Sequence, residues 1–137
     1  MLVNNAELRV RYQETDKMGV VYHSNYFVWF EIGRTEYLRA LGYPYERLEK
    51  EGIMLPVVEC SAKFKKAAVY DDQIMIKAYI QELKGASVTL NYEVSRKSTQ
   101  ELLVTGFTKH AITSTDLKPI KLKTLKPEFW GVLKDCL

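Results

Sequence analysis

Ahead of the first long apolar run, the chain reads Asp16-Lys17-Met18-Gly19-Val20-Val21-Tyr22-His23-Ser24-Asn25-Tyr26. This short stretch contains a carboxylate, a glycine and an imidazole just before a helix start. Unpaired N–H groups at a helix start carry partial positive charge and can hold a developing oxyanion. A carboxylate beside them can attack a carbonyl carbon or activate a water. Gly19 allows a tight turn or a close backbone approach to a ligand. Each residue also has a plainer reading. Asp16 and Asn25 suit a turn or a cap, His23 a cap, and Tyr22 and Tyr26 a core or an interface.

The elements around this stretch must position it. Residues 6–13 alternate Leu8, Val10 and Tyr12 against Glu7, Arg9, Arg11 and Gln13, which predicts a strand with one buried face. From Asn25 the period changes to that of a helix, with Tyr26, Phe30, Gly33, Tyr37 and Leu41 on one line. Ser24 is placed to cap its start and Gly42 to close its end. Val28, Trp29 and Ile32 occupy what should be the wet side, which predicts a helix buried nearly all round. Pro44 and Gly52 bracket a shorter helix over residues 45–50.

The remaining apolar runs are strands. Val58, Cys60, Ala62 and Phe64 alternate with Glu59, Ser61, Lys63 and Lys65; Ile74, Ile76, Ala78 and Ile80 with Met75, Lys77, Tyr79 and Gln81; and Val88, Leu90, Tyr92 and Val94 with Thr89, Asn91, Glu93 and Ser95, while a fourth run spans 102–113. Turns at Lys84-Gly85 and Lys97–Gln100 predict antiparallel neighbours joined by tight connections. The lysine-rich tail from Pro119, with Phe129-Trp130, reads as a short packed terminal turn. An amphipathic sheet needs a cover and the apolar helix supplies it, giving an α+β architecture: one long helix wrapped by a curved antiparallel sheet. Free sheet edges and leftover apolar surface call for a second subunit.

Composition narrows the function. With 137 residues, 47% hydrophobic and 27% charged, the chain suits one domain over residues 1–137 with its own core. No run approaches the roughly 18–20 apolar residues of a bilayer span, so no integral membrane segment is expected. Cys60 and Cys136 are far apart and the only histidines are His23 and His110, a pattern for neither a disulfide framework nor a metal centre. The reading is of a reduced, cytoplasmic protein. A net charge of +3 without a dense basic stripe argues against nucleic acid and suits a small phosphate-bearing ligand.

The stretch RVRYQETDKMGVVYHSNYFVWFEIGRTEYLRALG resembles the opening of hotdog-fold thioesterases of the 4-hydroxybenzoyl-CoA thioesterase class, above all the Tol–Pal-associated (YbgC-type) acyl-CoA thioesterases. The resemblance is carried by Asp16, Gly19, Val20, Val21, Tyr22, His23 and Tyr26, then by Phe30, Glu31 and Arg34 on the helix. It implies a hotdog fold of about five strands and hydrolysis of acyl-CoA to free acid and CoA. CoA is part of the substrate, so no cofactor is implied. It also implies Asp16 as the essential carboxylate, the backbone N–H of His23 as oxyanion donor, and Tyr22 beside them. Gly19, Val20, Asn25 and Tyr26 would bind substrate. The site would lie at a dimer interface, with two dimers forming a tetramer. Lys63, Lys65 and Lys66 stand as phosphate partners or as solvated strand charges. The motif specifies the family and not the acyl group.

Two other readings share the fold. A hotdog dehydratase or hydratase would act on the acyl chain, but the histidine-to-Pro-Gly segment of the acyl-carrier-protein dehydratases is absent, since His23 is followed by Ser-Asn-Tyr. A non-catalytic acyl-CoA-binding scaffold would have no need of Asp16.

Overall fold

The computed structural model describes residues 1–137. Five strands, β1 (Val3–Arg9), β2 (Val57–Phe64), β3 (Gln73–Lys84), β4 (Ser87–Arg96) and β5 (Leu102–Ala111), form one antiparallel sheet in the order β1-β3-β4-β5-β2. The long helix α1 (Asn25–Ala40) crosses one face, and three shorter helices follow the chain: α2 (Tyr45–Lys50), α3 (Leu122–Leu125) and α4 (Pro127–Asp135). The five-stranded antiparallel sheet around one long helix is the arrangement expected from the patterning.

Packing seats α1 on the sheet. Trp29, Phe30 and Tyr37 are fully buried, and Phe30 stacks on Tyr92 of β4 with ring centroids 4.5 Å apart. Burial of each such side chain is worth about 1.5–3 kcal/mol, which outweighs any single helix cap. Two glycines permit the close approach. A Cβ on Gly33 would stand 2.8 Å from Ile76, and one on Gly106 of β5 would stand 2.6 Å from the Phe30 ring. The end of α1 is closed by Gly42 at φ +82°, with Tyr43 N–H donating to Leu38 O and Gly42 N–H to Arg39 O. That pairing needs the left-handed conformation glycine adopts without strain.

Several expectations need correcting. The first strand begins at Val3 and ends at Arg9, because the chain turns through a 3-10 segment at Tyr12–Glu14; Tyr12, expected inside, is 78% exposed. Ser24 stands at the cap position, yet its side chain makes no capping bond. Helical turning has already begun there: Asn25 N–H donates to Tyr22 O and Tyr26 N–H to His23 O. Helix α1 is buried on one side only, since Val28 is exposed and Phe27 and Ile32 are half-buried.

Strand β2 does not neighbour β3. It crosses to the far edge and pairs with β5, so Val58, Cys60 and Phe64, read as an inward-facing set, stand exposed. The tail forms a nine-residue helix instead of a turn, because Phe129, Leu133 and Cys136 share a face that buries against the domain. There the Phe129 ring lies 4.4 Å from that of Tyr43.

Candidate active site

Asp16 sits at the head of a small hairpin. Thr15 and Val21 bridge, Asp16 N–H donates to Val20 O, and Gly19 N–H donates to Asp16 O with Gly19 at φ +83°. One Asp16 oxygen, Oδ1, accepts from Met18 N–H at 2.8 Å, which fixes the carboxylate in an Asx turn. The other oxygen makes no bond within the protein and is free to act. Glycine at position 19 is required by the turn, and its backbone lies outside the cleft wall.

The helix start lies across the same cleft. The first turn of α1 ties its N–H groups to carbonyls three residues back, so the N–H groups of His23 and Ser24 are the ones left over. Neither donates to any protein acceptor. A cleft of about 320 Å³ runs between these elements. Asp16, Met18, Val20 and Val21 form one wall, with Tyr22, His23 and Tyr26 at the helix start. Phe64, Lys65, Lys66 and Ala67, at and beyond the end of β2, form the other. The Phe64 ring lies 5.6 Å from that of Tyr26 and 6.3 Å from that of His23.

The expected residues therefore divide. Asp16, Val20, Tyr22, His23, Tyr26 and Lys65 meet at the cleft, and Lys66 joins them while paired to Glu101 at 2.7 Å. Gly19, Asn25 and Lys63 lie outside its lining. Asn25 donates its side-chain amide to Glu14 O at 2.8 Å, tying the helix start to the hairpin. Lys63 borders a separate depression with Asn91 and Thr105. Strand geometry ends at Phe64, so the two-residue alternation that would put Lys63 and Lys65 on one side stops between them. Tyr26 offers its ring to the cleft, while its hydroxyl accepts from Ala68 N–H at 3.1 Å; burial raises its pKa.

Glu14 is the positioning residue that reading the motif missed. It is buried. Its carboxylate accepts from Arg11 N–H and from Trp29 Nε1–H, both at 2.8 Å, and its carbonyl accepts from Tyr22 N–H and the Asn25 amide. The signal lay in Trp29, since a buried indole N–H needs an acceptor. No group of three or more His, Cys, Asp or Glu side chains gathers to hold a metal.

With the Asp16 carboxylate and His23, whose N–H is unpaired, on one cleft, the family can be placed. Residues 10–130 match the Thioesterase-like superfamily, and the chain belongs to it. It is 34% identical over 130 residues to YneP of Bacillus subtilis, covering 94% of each chain. It is 38% identical over 92 residues to the acyl-CoA thioesterase YbgC of Haemophilus influenzae, covering 66% of this chain and 68% of that one. The structure of a DHNA-CoA thioesterase from Staphylococcus aureus superposes with a TM-score of 0.93 at 34% identity, over 98% of this chain and 91% of the other.

Proposed function

We propose that this chain is an acyl-CoA thioesterase in which Asp16 supplies the carboxylate and the His23 N–H binds the thioester oxygen. The observation that supports the reading is that Asp16, with one carboxylate oxygen unbonded, and His23, with its N–H unpaired, line one cleft. Relatives named as acyl-CoA thioesterases support the substrate class.

The carbonyl oxygen of the thioester docks on the His23 N–H, with Ser24 N–H beside it. Charge that builds on this oxygen in the transition state is held by donors already in place. Asp16 then attacks the carbonyl carbon or takes a proton from an attacking water. In either case the carbon–sulfur bond breaks, one water is consumed, and a carboxylic acid and the CoA thiol leave. Lys65 provides positive charge at the cleft mouth for a CoA phosphate. Tyr22, Val20 and Tyr26 form the walls against which the substrate lies.

Residues 1–137 act as one catalytic unit, and the working assembly is at least a dimer. The reason is β2, which forms an eight-residue sheet edge with Val57, Val58 and Phe64 exposed beside the exposed Val28 of α1. Such an edge is a template for another strand. No helix is long and apolar enough to cross a membrane.

The decisive test is Asp16→Asn assayed by thiol release from acyl-CoA. One oxyanion donor is worth roughly 100- to 1,000-fold and general-base assistance roughly 100- to 10,000-fold. The variant is expected to fold normally and to lose at least about 100-fold in kcat. Near-wild-type turnover in a purified sample would reject the assignment.

A further inference from the structure

A second cavity lies one to two turns further along α1, lined like the Asp16 cleft by residues of α1 and β2. Phe27, Val28 and Val57 give it apolar walls, and Arg34, Thr108 and Cys60 line its inner side. Arg34 is 8% exposed, yet no carboxylate pairs with it; only hydroxyls do. Its Nε donates to Tyr45 Oη at 2.8 Å, and its Nη1 donates to Tyr92 Oη at 3.3 Å and to Thr108 Oγ1 at 3.5 Å. A buried cation held by neutral groups alone is costly, because dipoles of hydroxyls do not cancel a full charge.

The hydroxyl network is directed toward that cation. Leu55 O can only accept, so His110 Nδ1 carries the proton and Nε2 accepts from Thr108 at 2.8 Å. Thr108 then accepts from Tyr92 at 2.6 Å, and Tyr92 accepts from Arg34. Every group in the chain is committed to fixing the guanidinium. One donor remains outside it: Nη2 makes no hydrogen bond and retains contact with solvent.

We propose that the Arg34 cavity recognises a carboxylate at the distal end of the acyl group, so that the enzyme acts on acyl-CoA thioesters of dicarboxylic acids. The proposal rests on the thioesterase reading of the Asp16 cleft. His23, whose N–H holds the thioester oxygen, and Arg34 are separated by a helix rise of ~16 Å, of which the long arginine side chain can cover part, leaving a span suited to a medium-length chain lying along apolar walls. Glu31 also borders the cavity. It is exposed, so its charge is screened by solvent far more than that of Arg34. A carboxylate from a second copy of the chain is the other source of the same chemistry.

The experiment compares matched pairs with the wild-type enzyme: suberoyl-CoA against octanoyl-CoA, and succinyl-CoA against butyryl-CoA. A charge-assisted bond to Nη2 is expected to favour suberoyl-CoA by roughly 10-fold or more in kcat/KM, with no such preference in the short pair. In Arg34→Gln the suberoyl preference is expected to disappear. Equal rates for the long pair in wild type, or a preference that survives in Arg34→Gln, would overturn the proposal, and equal rates would point to a partner's carboxylate at Arg34.

Binding supplies a readout independent of turnover. Suberate is expected to bind wild-type protein at least roughly 10-fold more tightly than octanoate, and this difference is expected to vanish in Arg34→Gln. If no acyl-CoA releases thiol, the thioesterase reading fails, and the suberate measurement alone then decides for or against the Arg34 site. Should Arg34→Gln not fold, the wild-type length series stands as the test.

Discussion

Burial without an opposite charge recurs at His110, and there it makes stability depend on pH. Burial lowers the His110 pKa from its ordinary 6.5 to about 4, against the raising effect of its bond to Leu55 O, with the Arg34 charge lowering it further. The unfolded chain therefore binds more protons than the folded one between those values, and stability falls as pH drops through this window. The contribution is fully present above about pH 6.5 and is lost toward pH 4, amounting to about 3 kcal/mol. Urea denaturation at pH 7 and pH 4.5 is expected to show the fall, and His110→Gln is expected to flatten it. An equal loss in that variant would mean that other groups carry the acid sensitivity.

At the scale of elements, the hairpin bearing Asp16 and the start of α1 are held in register chiefly by Glu14. Its carboxylate reaches into α1 through Trp29, and its carbonyl receives both Tyr22 N–H and the Asn25 amide. Glu14→Ala leaves the buried Trp29 indole without an acceptor, costing about 1–3 kcal/mol, and leaves the N–H of the exposed Arg11 to water. The variant is expected to lose about 1–3 kcal/mol in urea unfolding and to lower kcat, since Asp16 and the proposed oxyanion donors lose their common anchor. Glu14→Gln retains an acceptor for one of the two N–H groups and is expected to recover part of both losses. A stable Glu14→Ala with wild-type kcat would show that packing of Trp29 and Val21 alone holds the register.

For the whole molecule, the open side of α1 and the bare edge of β2 are the surfaces on which the proposed dimer rests. Val58 is 59% exposed on that edge and Phe64, at its end, 52%. A charge there would have to be desolvated on association, so Val58→Lys is expected to shift the protein toward monomer in sedimentation. Activity is expected to fall in step if the second subunit completes the site. A dimer unaffected by Val58→Lys would move the interface elsewhere on the surface.

Local patterning fixed much of this. The period change at Asn25, the Gly42 and Gly52 stops and the alternation in β3 and β4 each depend on neighbours within a few residues, and each was legible. The segment Asp16–Tyr26 was legible too, because a turn and a helix start are short-range structures. What the sequence could not express were long-range choices. The placement of β2 beside β5 depends on a crossover, and that crossover left Val58 and Phe64 exposed while the same alternation in β3 was buried. The anchoring of Glu14 on Trp29 and the hydroxyl cage of Arg34 join residues 11 to 74 positions apart. Such contacts are decided by how helix and sheet pack, since a hydrogen-bond partner is selected by distance in space and periodicity reports only which face a residue occupies.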